Sequence, residues 1–172
     1  MDLGQHADEA SGTVATDASL CTAHGWRPRD HQNSGRRVID VVLFSVELDL
    51  LELRIRELLP VVDVFVIAEA PNTFTGLPKP MVFDLNQDRF AFAAHKIQYV
   101  PLPGRELAVG EDPFNIEAEN RNNVSKYLRT SELLQLREGE LLIMSDVDEI
   151  PSREAIQLVR SCDGVPPNLH LR

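Results

Sequence analysis

The sequence predicts an α/β fold, a mixed and mostly parallel sheet flanked by helices, and three observations predict it. Short runs of β-branched and aromatic residues recur without polar alternation, as in strands covered on both faces. An amphipathic segment of helical period separates the first two runs. The runs then stop abruptly in carboxylates, as when a parallel sheet delivers polar side chains to its carboxyl edge. Composition agrees: of 172 residues 43% are hydrophobic, enough for one substantial core. A formal net charge of −10 argues against binding a nucleic-acid backbone, which needs basic surface. It leaves a nucleotide open, because a metal ion can supply positive charge.

Residues 1–36 are polar and without sustained periodicity, and read as a disordered or loosely packed leader. A packed cap built on Trp26 is the alternative. His6, His24 and His31 are too scattered for a metal site, and Cys21 and Cys162 are too few for a disulfide framework. The leader shows neither a signal peptide nor a membrane-spanning run. Residues 37–172 form the folded domain.

The first strand is Val38–Phe44, β-branched and aromatic. A helix follows, with Leu48, Leu51, Ile55, Leu58 and Leu59 on one face, broadened by Leu50 and Leu53 and ended by Pro60. Arg54 and Arg56 read as solvated helix residues. Glu47 and Asp49 lie in the first turn. They either complement the free backbone N–H groups there or line a cleft and meet a sugar hydroxyl.

The second strand, Val61–Ala68, ends in Glu69, which either faces a ligand crevice or caps the surface. The stretch Ala70–Pro80, with three prolines and a glycine, is a structured loop. Its Thr73, Phe74 and Thr75 suit a sugar or base, and Lys79, its one cation, is a candidate to face phosphate; the alternative is a plain structured connection. Met81–Phe83 reads as a short strand and Asn86–Ala94 as a short helix with Phe90 and Ala94 on one face. Lys96–Val100 is the third strand, and His95 before it reads as a turn residue. Residues 101–115 form a loop of the kind that closes over ligands. Ile116–Arg129 suits a helix buried through Val124, Tyr127 and Leu128, with Glu117 placed i,i+4 before Arg121. Arg121 pairs with a cleft carboxylate, binds phosphate, or is simply solvated.

The fourth strand, Leu141–Met144, reads as buried and delivers Ser145-Asp146-Val147-Asp148-Glu149 to the sheet's edge. Side chains at i and i+2 of an extended segment share a face, so Asp146 and Asp148 can converge. Three acidic groups within four residues repel one another, and a divalent cation with a bound diphosphate is the leading means of holding them. Magnesium and manganese favour such oxygen ligands and an incomplete protein shell. The alternative is that the acidic residues cap the next helix, about Ser152–Val159. After a turn at 162–167 the chain begins something extended, which suggests a sheet incomplete at its carboxyl end.

Four ordered blocks carry a resemblance: Val46–Ile55; Val64–Glu69 with Thr73–Pro80; Arg121-Asn122; and Ser145–Pro151. Together they resemble the β-1,4-mannosyl-glycoprotein 4-β-N-acetylglucosaminyltransferases, family seventeen of the glycosyltransferases, over residues 38–172. The resemblance implies a GT-A-like, nucleotide-sugar-binding sheet. It implies transfer of N-acetylglucosamine from UDP-N-acetylglucosamine to the β-linked mannose of an N-glycan core, or to another glycan acceptor. The new linkage is β-1,4, formed with inversion, and the metal is manganese, or else magnesium. Asp146 and Asp148 take the metal-binding role. Inversion needs a general base for the acceptor hydroxyl; Glu149 is the first candidate and Glu69 the second. Glu47, Asp49, Lys79 and Arg121 are the candidates for holding the donor. Animal members sit in the Golgi membrane, facing its lumen. Two rivals stand beside this reading: a non-catalytic glycan- or nucleotide-binding fragment, and a metal-dependent phosphohydrolase. The second usually carries its Asp-x-Asp pair after the first strand with a threonine behind it, where this chain has Ile150.

Overall fold

The computed structural model describes residues 18–29 and 36–170. Four parallel strands form its centre: β2 (Val38–Phe44), β3 (Val64–Glu69), β4 (Ile97–Pro101) and β5 (Leu141–Met144), in the spatial order β4-β3-β2-β5. A separate two-residue pair, β1 (Arg27–Pro28) and β6 (Cys162–Asp163), is antiparallel. The helices are α1 (Ala18–Ala23), α2 (Leu48–Leu58), α3 (Phe114–Thr130) and α4 (Arg153–Ser161), with a 3-10 segment at Asp84–Lys96.

Strand alternation sorts the core into two layers. Val38, Val42 and Phe44 of β2, with Phe65 and Ile67 of β3, pack against Leu51, Ile55 and Leu58 of α2, Phe83 and Phe90 around the 3-10 segment, and Ile156 of α4. Ile39 and Val41, with Val66 and Ala68, pack against Val124 and Leu128 of α3. A parallel sheet covered on both faces is what the apolar strand runs require. The chain steps outward from β2 to β3 to β4, then α3 carries it across the other face to β5 on the far side of β2. The order therefore reverses between β2 and β5.

Several expectations are corrected. Leu141–Met144 is a parallel strand but not a buried one. It pairs with β2 along one edge, and Leu142 and Met144 remain 45% and 38% exposed. Leu50 and Leu53 do not broaden the buried face of α2, since both point outward at 40% and 57% exposure. Residues 81–83 form a turn rather than a strand. Asn86–Ala94 lies within the 3-10 segment, broken by non-helical backbone at Asn86 and Phe90. Three residues per turn place Phe90 over Ala93, so Ala93 is the buried partner and Ala94 is exposed.

The loose leader is corrected for residues 18–29. Cys21 and Cys162 form a disulfide across 141 positions, and both are buried. Arg27 and Pro28 add their short pairing with Asp163 and Cys162, and Trp26 stacks on His24 at 4.9 Å. His6, His31 and the rest of residues 1–17 and 30–35 lie outside the described residues. Arg160 of α4 reaches Asp63 and the Val61 carbonyl, and Asp63 in turn accepts from the Val38 N–H at the start of β2. The disulfide follows two residues later, so it lies at the amino rim of the sheet.

Candidate functional site

Open α/β sheets bind ligands outside the carboxyl ends of their strands, where the strand order reverses. Here that point lies between β2 and β5. Beyond β2 the chain turns at Ser45–Glu47, and the Glu47 carboxylate accepts from the backbone N–H groups of Ser45 and Val46 at 3.2 and 2.9 Å. Beyond β5 it turns at Ser145–Glu149.

The acidic turn is fixed from behind by Arg54. This residue of α2 is fully buried and forms a two-pronged ion pair with Asp40 in the middle of β2, at 2.8 and 2.7 Å. It also donates to the carbonyls of Asp146 and Glu149 and to the Ser145 hydroxyl, at 2.8, 2.9 and 2.8 Å. Within the turn, the Glu149 N–H donates to the Asp146 carbonyl, and the Glu149 carboxylate accepts from the Asp146 N–H. Val147 is buried among the α2-side core residues, and the flanking Asp146 and Asp148 are exposed. The backbone here is a turn rather than the extended segment expected, with Asp146 and Asp148 exposed on either side of buried Val147.

Arg121 of α3 closes the same place from the other layer. Its guanidinium meets Asp146 at 3.0 Å and Glu117, one turn earlier, at 2.9 Å. Glu117 first, then Asp146, raises its pKa against the opposing effect of burial, so it stays a cation at any working pH. Arg121, Asp146 and Glu149 therefore meet at the switch point, and Asp148 lies exposed on the same turn.

Among the described residues no group of three or more His, Cys, Asp or Glu side chains is arranged to hold a metal alone. The fit is of a different kind. Ions of the magnesium type take one or two protein carboxylates and complete their shell with phosphate and water. Asp146 and Asp148, two exposed carboxylates of one turn, are donors of that kind.

The other candidates fall elsewhere. Glu69 is fully buried, and both its oxygens are engaged. Lys79 donates to it at 2.7 Å, Tyr99 at 3.1 Å, and the Val82 and Phe83 N–H groups complete the set. Burial, then the Glu69 charge, pushes the Tyr99 phenol above its ordinary value. Glu69 is an anchor for the loop after β3 and is corrected as a base. Lys79 is spent on that anchor, its ammonium buried against Glu69 and the Pro80 carbonyl rather than presented to phosphate. Asp49 is exposed and paired with Arg89 of the 3-10 segment. Thr73 braces its own turn, bonding the Thr75 hydroxyl and accepting from the Leu77 N–H. His95 precedes β4 at the amino rim, away from the acidic turn.

The loop at 101–113 is strapped down. Arg105 bonds both Glu111 and Glu119, and a Cβ on Gly76 would come within 2.9 Å of Leu107. Arg105, then the Ala108 N–H, holds the Glu111 carboxyl down at about 2. A carboxylate with a depressed folded value stabilises its contacts above its unfolded value and loses them as pH falls through the folded one. Exchange protection of the Ala108 amide is accordingly expected to persist at pH 5 and to fade between about pH 4.5 and 2; protection unchanged at pH 2 would show that Glu111 does not hold this loop.

Sequence reasoning missed Asp40, Arg54 and Ser145 as parts of the site. The signal was present. Asp40 interrupts an apolar strand, and a buried carboxylate needs a partner. Arg54 falls in the stripe Leu51, Arg54, Ile55, Leu58, the i, i+3, i+4, i+7 positions of the inward face.

Comparison with known proteins completes the description. The sequence model of glycosyltransferase family 17 matches residues 8–172. The β-1,4-mannosyl-glycoprotein 4-β-N-acetylglucosaminyltransferases of Rattus norvegicus and Homo sapiens are each 32% identical over 169 residues, covering 93% of this chain and 30% of the relative. The Mus musculus protein of that name matches to the same extent. The chain thus spans 30% of the length of these curated relatives. No solved structure matches.

Proposed function

From the premise that this chain belongs to glycosyltransferase family 17, we propose that it forms the donor-binding part of an N-acetylglucosaminyltransferase. The donor is UDP-N-acetylglucosamine, and the acceptor is the β-linked mannose of an N-glycan core, joined through a β-1,4 linkage with inversion. The relatives are named for action on a mannosyl-glycoprotein, which supports that acceptor. The observation that carries the reading is the acidic turn at the switch point, with Asp146 and Asp148 directed outward and Arg121 beside them.

Asp146 and Asp148 hold the divalent cation, manganese by preference, and that ion supplies charge neutralisation to a departing diphosphate. Arg121 shares the task as a permanent cation able to bond two phosphate oxygens at once. Glu47, beside the same rim, fixes the β2 turn and lines the donor's approach. Glu149, exposed on the acidic turn, is the candidate to receive the acceptor hydroxyl proton. Asp49, exposed and tied to Arg89, lies farther along the same helix and has no part in this reading.

No helix among the described residues is long and apolar enough to cross a membrane. The Cys21–Cys162 disulfide supports work in an oxidising lumen such as that of the Golgi. A second reading, donor binding without turnover, is favoured by the Glu149 carboxylate's being engaged by the Asp146 N–H.

Calorimetry with UDP-N-acetylglucosamine tests the proposal. Binding is expected with manganese present and is lost on chelation. Asp146→Ala and Asp148→Ala are each expected to weaken metal-dependent binding by about 10-fold or more, since even residues that only support a metal ligand count for that much. Donor affinity indifferent to chelation would end the proposal. Turnover with an N-glycan acceptor then separates the two readings.

A further inference from the structure

We propose that Arg54, backed by Asp40, is a positioning residue for cation and donor binding, a role that rests on the function proposed above. Neither residue touches the outer face of the turn. An arginine carries five N–H donors in a planar fork, and Arg54 uses one for each of five acceptors: two to the Asp40 carboxylate, one to the Ser145 hydroxyl, and one each to the carbonyls of Asp146 and Glu149. The last two pin the turn at its first acidic residue and at its last. Ser145 adds a cross-tie by donating to the Glu149 carbonyl at 3.1 Å.

Two consequences follow from this geometry. With its carbonyls drawn inward, the turn directs Asp146 and Asp148 outward and does so before any ligand arrives. Two carboxylates that repel one another are thus held outward in advance, which lowers the ordering cost of binding a cation. The guanidinium is also neutralised by Asp40 at two oxygens, so a buried positive charge stands behind the turn without opposing a cation in front of it. Lysine cannot replace this fork, because its three donors leave one nitrogen and cannot reach five separated acceptors.

The test uses the full chain, with manganese alone and with UDP-N-acetylglucosamine plus manganese as probes, well below the melting temperature. Arg54→Lys is expected to fold and to weaken manganese-dependent donor binding by about 10- to 100-fold, the range seen when supports of metal ligands are lost. Leu58→Ala destabilises the same helix without touching the turn, and is expected to leave both affinities within about 2-fold of the parent. Equal affinity in Arg54→Lys and the parent, or an equal loss in Leu58→Ala, overturns the inference. Should Arg54→Lys not fold, Ser145→Ala keeps the buried pair and removes the hydroxyl that links Arg54 to the Glu149 carbonyl. It is expected to cost about 3- to 10-fold in donor affinity, the worth of a typical intramolecular hydrogen bond, and no loss overturns the inference. A parent chain that binds no donor in manganese removes the proposed function and this inference together. A parent that binds, with variants that bind equally well, removes only the inference.

Discussion

Asp40→Ala is expected to lower the unfolding free energy by about 3–5 kcal/mol, the usual cost of stripping one partner from a buried ion pair. The change deletes little volume. Its effect is to leave the Arg54 guanidinium fully buried with no counter-charge, in the middle of a strand whose neighbours are Ile39 and Val41. Urea denaturation measures it, with an unchanged slope showing that the native state is otherwise intact. The double change Asp40→Val with Arg54→Leu is expected to recover most of the loss, because replacing both charges by apolar groups is often neutral or better. It will not recover donor binding, since the Asp146 and Glu149 carbonyls lose their donor. A loss below about 1 kcal/mol in Asp40→Ala would mean that the pair is hydrated rather than dry.

That pair also marks the limit of what the sequence made legible. Val38–Phe44 was readable because both faces are buried, so β-branched residues fill successive positions and the strand matches the expected bounds. Phe114–Thr130 was readable because Ile116, Val124 and Leu128 keep the helical period, and the expected Glu117–Arg121 pair forms. Arg54 was misread because charge normally marks the outer face of a helix, and a residue's type is weaker information than its place in the stripe. Leu50 and Leu53 erred in the opposite direction: apolar type suggested burial, while their positions faced outward. In the acidic turn, Arg121 meets Asp146, one of the pairings the sequence left open for it. Glu69 could not be separated from Asp146 by sequence, because a carboxylate at a strand's end looks the same whether it meets a ligand or, as here, the Lys79 ammonium and the backbone of the following turn. The Cys21–Cys162 bond was invisible for a related reason. It joins segments 141 positions apart, and no local pattern encodes a contact at that range.

Removing that bond is expected to have the second large effect. Closing a loop of this length restricts the unfolded chain by about 4–5 kcal/mol in the entropy treatment, and measured losses run to about 2–5 kcal/mol. Cys21→Ser, or Cys162→Ser, should lose stability within that range. The locus of the loss follows from the local structure of residues 18–29. A six-residue helix is far too short to persist alone, and the β1–β6 ladder has two residues on each side. Without the disulfide this segment should detach before the sheet unfolds. The single tryptophan reports it directly, because Trp26 donates its backbone N–H to the Cys21 carbonyl and stacks on His24. Its fluorescence should shift and its amide should lose exchange protection at denaturant concentrations that leave the amides of β2 protected. Manganese-dependent donor binding should hardly change, because the bond lies at the amino rim and the acidic turn at the carboxyl rim. If Trp26 and the β2 amides lose protection together, the segment belongs to the same cooperative unit as the sheet. The disulfide would then support the core itself rather than fasten an appendage to it.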